Sequence, residues 1–160
     1  MSESLQARVA ARRQDLIARR SKGFTVPVPE FEGMLALHFR LLEFEEKRAI
    51  HMRHDGVGTD PGDEVAASAD LLIAACDGVL EVHGDSEPSQ YAPGLSAQVV
   101  RDLFGLSDLP ESLTVRQALI AALGSDGVMA LFGRYSQEVS SIRDEAEDAA
   151  EGESTPAVAG

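Results

Sequence analysis

Residues 24–41 read Phe24-Thr25-Val26-Pro27-Val28-Pro29-Glu30-Phe31-Glu32-Gly33-Met34-Leu35-Ala36-Leu37-His38-Phe39-Arg40-Leu41, and their pattern decides the fold. Phe24, Val26 and Val28 alternate with Thr25, Pro27 and Pro29, the two-residue period of a strand. Two prolines remove ladder donors, so this is an edge strand or an extended arm. Glu32-Gly33 supplies a turn, since glycine accepts positive φ. Met34 to Leu41 then returns with Leu35, Leu37 and Phe39 on one face. The expectation is a β-hairpin with an unblunted edge. Most of the rest reads as helix, which predicts a mainly α chain with a small N-terminal β-hairpin (α+β) and a helical bundle packed on the hairpin.

Upstream, residues 3–20 read as a helix. Ser2 or Ser4 caps it, Leu5, Val9, Leu16 and Ile17 recur at helical spacing, and Lys22-Gly23 ends it. Arg8, Arg12, Arg13, Arg19 and Arg20 occupy much of the rest. The apolar stripe is thin, so the helix is marginal alone and is expected to dock on a partner or to stay partly mobile.

Downstream, Glu43–Arg53 reads as a helix whose acids lead and whose bases trail, complementing its dipole. Residues 55–63 are rich in turn-forming types. Asp63 caps a helix over Glu64–Asp77, with Val65, Ala66, Ala69, Leu72, Ile73 and Cys76 inward and Gly78 as its stop. Val79–His83 reads as a short third strand and residues 84–94 as a polar linker. Helices follow from Ser96 to Gly105, from Thr114 to Gly124, and onward from Ser125 or Asp126. From Asp144 the apolar content collapses, and the last 17 residues hold six acids and no base, a composition that predicts disorder. The chain thus divides into an Arg-rich helix (1–22), one α+β domain (23–142) and an acidic tail (143–160).

The 160 residues carry 14 Lys+Arg against 27 Asp+Glu, a net charge of -13. Residues 1–54 contribute +3 and residues 55–160 contribute -16. Such a balance makes nucleic acid an unfavourable partner, because neutralising phosphates needs a basic surface. One cysteine excludes an internal disulfide and suits a reducing compartment. The longest apolar run, Ala66–Cys76, is too short to span a bilayer, and the Arg-rich start lacks the apolar core of a signal peptide. No membrane association is expected.

Catalytic patterns are hard to find. Gly56-Val57-Gly58 has no Lys-Ser/Thr after it, and Asp60 and Asp63 would repel phosphate. Cys76 reads as a buried, inert thiol. His51 and His54, followed by Asp55 and Asp60, form one constellation with metal-ligand chemistry, but Arg53 between them disfavours a cation. They read as solvated histidines at a helix end. The paired carboxylates read as a solvated acidic face. The basic first helix has no aromatic residue for base stacking. Neither metal nor cofactor is expected, and no enzymatic activity.

The stretch Val26–Arg40, with its Val-Pro, aromatic, turn glycine and apolar return strand ending in a basic residue, resembles the opening of tail assembly chaperones of long-tailed (siphovirus-type) actinobacterial phages. The Glu-containing helix from Leu42-Glu43-Phe44-Glu45-Glu46, the small apolar helix Ala69–Cys76, and Thr114–Leu119 through Phe132-Gly133-Arg134-Tyr135-Ser136 are similar to later elements of that family. The likeness covers roughly residues 24–140. It implies a non-catalytic protein of the host cytoplasm that coats the tape measure protein, keeps it soluble and assists polymerisation of tail tube subunits, with self-association left open. Amphipathicity nominates two contact surfaces: the hairpin (Phe24, Val26, Phe31, Leu35, Leu37, Phe39) and the last helix (Leu131, Phe132, Tyr135). The alternatives are another virion structural protein, such as a head–tail connector or tail completion component, and a small regulator touching nucleic acid through its Arg-rich helix.

Overall fold

The computed structural model describes residues 4–54 and 61–154. Helix α1 (Leu5–Lys22) leads into strand β1 (Phe24–Pro27), β2 (Leu35–Phe39), α2 (Phe44–Arg53), α3 (Pro61–Ala75), β3 (Cys76–His83), β4 (Ser86–Ala92), α4 (Ala97–Leu103) and α5 (Val115–Ser154). The four strands form one antiparallel sheet in the order β1-β2-β3-β4.

The hairpin and its edge position are as the alternation predicts: β1 lies at the sheet edge, with Val26 opposite Leu37 and Phe24 opposite Phe39. Its turn is held by Phe31 N–H donating to Val28 O (2.9 Å) and Leu35 N–H donating to Phe31 O (2.9 Å), with Gly33 at φ 86°. The sheet is not confined to the N-terminus, however. The third strand begins at Cys76 and a fourth, β4, replaces the expected linker. Six of the seven β4 residues are exposed, so the strand has no buried face to give it a two-residue signature. Pro88 sits there as an edge strand allows, opposite a register shift in β3.

Helix α3 starts at Pro61, which fits the first helical turn because it lacks only an N–H that would be unpaired there. It ends at Ala75, before the expected Gly78 stop. Cys76 pairs with Phe39 across the sheet, and Ala75 O accepts from Arg40 N–H (2.9 Å). Gly78 instead lies in β3 against the Cβ of His38.

Ser96 caps α4 through Val99 N–H (3.1 Å), and Thr114 caps α5 through Gln117 N–H (3.2 Å). Gly124 (φ 75°, ψ 164°) breaks α5, which is the boundary read from sequence between the last two helices. Beyond it the helix runs on to Ser154, where composition predicts disorder from residue 143. Alanine and glutamate are strong helix formers, and they dominate 144–151. Within Val115–Glu145 lies one stretch long and apolar enough, by length and composition alone, to cross a membrane, with a mean hydropathy of 1.3. It is longer than the run singled out from sequence. The break at Gly124 interrupts it, and Leu119, Val128 and Leu131 are in the core.

That core lies between the sheet and the helices α3 and α5. Phe39, Leu72, Val79, Leu119, Val128 and Leu131 are fully enclosed. Burial of such side chains contributes about 2 kcal/mol each before entropic costs.

Candidate functional site

Of the nine nominated contact residues, Val26, Leu35, Leu37, Phe39, Leu131 and Tyr135 are buried in the folded chain. Phe24, Phe31 and Phe132 are half-buried and reach its surface. Alternation identifies a face but does not say whether the chain itself covers that face. Here α3 and α5 cover most of it. The structure nevertheless joins the two nominated surfaces. The Tyr135 ring stands 5.2 Å from Phe39, 5.6 Å from Phe24 and 6.0 Å from Phe132, so hairpin and last helix meet in one aromatic cluster.

On the solvent side of that cluster runs a groove of about 230 Å³ between α2, α3 and α5. Leu71, Phe132, Tyr135 and Val139 give it an apolar lining, Lys47 and His51 come from α2, and Ser136 and Ser140 complete it. The Tyr135 side chain is 5% exposed, and its hydroxyl has no hydrogen-bond partner among the described residues. Burial pushes its pKa up, against the opposing pull of Arg40. An enclosed hydroxyl without a partner costs about 1–3 kcal/mol. Val139 and Ile142 extend the apolar seam of α5 at spacings of four and seven from Tyr135, each half-buried.

A second, larger groove of about 380 Å³ opens at the other end of the hairpin. Phe31, Met34, Leu80, Tyr91, Leu103 and Phe104 line it together with Leu35 and Glu81. Phe31 and Phe104 meet edge-to-face at 5.4 Å, while Met34 is 63% and Tyr91 49% exposed. Tyr91 belongs to β4, which explains why this groove was invisible in the sequence.

The third cavity, about 340 Å³, is polar and bordered by Arg53, His54, Asp70, Thr114, Val115 and Arg116. Asp70 Oδ2 is bonded to His54 Nε2 (2.8 Å) and accepts from Arg116 Nη1 (3.1 Å), tying α2 and α5 to α3. His54 is therefore a structural partner of Asp70 rather than a solvated helix end. Asp55 and Asp60 lie outside the described residues, and no group of three or more His, Cys, Asp or Glu suited to a metal occurs among the described ones. The signal for the clamp was present in the sequence as a lone acid, Asp70, inside an apolar helix face.

Cys76 is buried at the start of β3, not on the helix face expected for it. Its Sγ lies 3.5 Å from Gly78 O, and burial pushes the thiol up to about 11, which suppresses thiolate chemistry.

Against this geometry, the chain matches no protein-family model, no curated protein and no solved structure.

Proposed function

We propose that this chain is a non-catalytic protein-binding assembly factor of the tail assembly chaperone type. It holds an apolar helix of the tape measure protein in the α2–α3–α5 groove while tail tube subunits assemble, in the host cytoplasm. One observation carries the reading: an open groove between α2, α3 and α5 whose apolar wall of Leu71, Phe132, Tyr135 and Val139 is flanked by Lys47 and His51. A helix laid in a groove buries its apolar face against the lining. The acidic body keeps such a complex soluble.

Co-expression with the tape measure protein tests this. The wild-type chain is expected to keep the tape measure protein in the soluble fraction. Phe132→Asp, a half-buried position, is expected to abolish that effect with the fold intact by circular dichroism. Tyr135→Phe removes the orphaned hydroxyl and is expected to leave the free chain as stable or about 1 kcal/mol more stable in urea titration. A tape measure protein that aggregates equally with and without the wild-type chain contradicts the proposal. Stable rings that persist under those conditions after removal of residues 1–20 would instead favour the connector reading.

A further inference from the structure

Helix α1 and the groove at Phe31, Met34 and Tyr91 have matching characters. The helix carries Leu5, Val9 and Leu16 on one stripe, 67%, 58% and 39% exposed. The helix carries six bases (Arg8, Arg12, Arg13, Arg19, Arg20, Lys22) against Asp15 alone, a net of +5, and Arg12 falls within the stripe between Val9 and Leu16. The segments that build the groove, residues 28–35, 80–91 and 97–104, hold six acids (Glu30, Glu32, Glu81, Asp85, Glu87, Asp102) against one arginine; Glu81 lines the groove itself, and Glu32 is ion-paired with Arg134 of α5. That arginine, Arg101, is buried and spent on Leu109 O at 2.9 Å. An apolar floor with an acidic surround is suited to a basic amphipathic helix.

The groove of the same chain is not where α1 is aimed. Gly23 (φ 62°) follows the helix and presses so closely on the carbonyl oxygen of Phe39 that a Cβ there would overlap it. His38 Nε2 holds Lys22 O at 3.1 Å. Both contacts fix the root of α1 at the Phe24/Phe39 end of the hairpin, whereas the groove lies at the Leu35/Glu81 end. Stripe and groove are open in the same chain at once. We infer that α1 of one copy docks in the Phe31–Met34–Tyr91 groove of a second copy, pairing the basic helix with the acidic rim. This docking uses a different groove from the one assigned to the tape measure protein and does not depend on that assignment.

Two cysteine variants of the full chain, Val9→Cys and Met34→Cys, test it directly, since the native Cys76 is buried. Mixed under mild oxidation, they are expected to form a disulfide-linked pair of one copy of each. In sedimentation analysis, Leu5→Glu with Val9→Glu is expected to weaken self-association roughly tenfold or more, at unchanged melting temperature. Met34→Lys is expected to do the same from the groove side. Three results would each overturn the inference: a monomer throughout the micromolar range, unchanged association of the α1 variant, and no disulfide between the Val9→Cys and Met34→Cys chains in the mixture.

Discussion

Asp70 interrupts the apolar face of α3, and its Oδ2 serves both His54 Nε2 and Arg116 Nη1. Its side chain is 14% exposed, so its loss strands two polar partners at a semi-buried site. Asp70→Ala is expected to lower stability by about 2 kcal/mol in urea titration, and a change under about 0.5 kcal/mol would contradict the clamp. A second residue-scale expectation concerns pH. Arg40 donates to Glu46 Oε1 at 2.9 Å and Oε2 at 2.5 Å, which, with the Glu43 backbone N–H, holds the Glu46 carboxyl down at about 2 against an ordinary 4.5. The folded value is the lower one, so this stabilisation is fully present above about pH 4.5 and is lost as pH falls toward 2. Both side chains are more than a third exposed, and solvent screening limits the effect to about 1 kcal/mol. Glu46→Gln should flatten the stability profile over that window. At this scale the sequence revealed which side chains are apolar, but not which are covered: Phe39 and Leu131 read as available faces, and both are fully enclosed.

Among elements, those with strong local signals were legible. Ser4, Ser96 and Thr114 all cap helices, and Gly124 breaks one, because caps and positive φ are decided within a few residues. Strand β4 was not legible. Its partners lie in β3, and a strand exposed on both faces shows neither alternation nor an apolar run. The end of α3 was misplaced for a related reason: pairing of Cys76 with Phe39 is a long-range contact that outweighs the local pull of Gly78. The α1–β1 junction carries an element-scale prediction. Gly23→Ala combines a strained φ with overlap on the Phe39 carbonyl and is expected to cost more than about 2 kcal/mol. Removal of residues 1–20, by contrast, should leave the melting temperature of the remainder nearly unchanged, since Leu5 and Val9 are largely exposed and none of the buried core residues lies in α1. A large loss of stability would mean that α1 belongs to the body.

At the scale of the whole molecule, the charge asymmetry seen in the sequence has a spatial counterpart. The basic first helix is rooted at the Phe24/Phe39 end of the hairpin, while most of the acids lie in the segments after it. The aromatic cluster of Phe24, Phe39, Phe132 and Tyr135 joins the hairpin to the last helix, and the α2–α3–α5 groove opens beside it. The central claim is that this groove receives an apolar helix. Amide hydrogen exchange on the full chain, alone and in the complex co-expressed with the tape measure protein, tests it most directly. The account predicts added protection in residues 47–51 and 132–140. Protection confined to other segments, or none at all in a complex that forms, would contradict it.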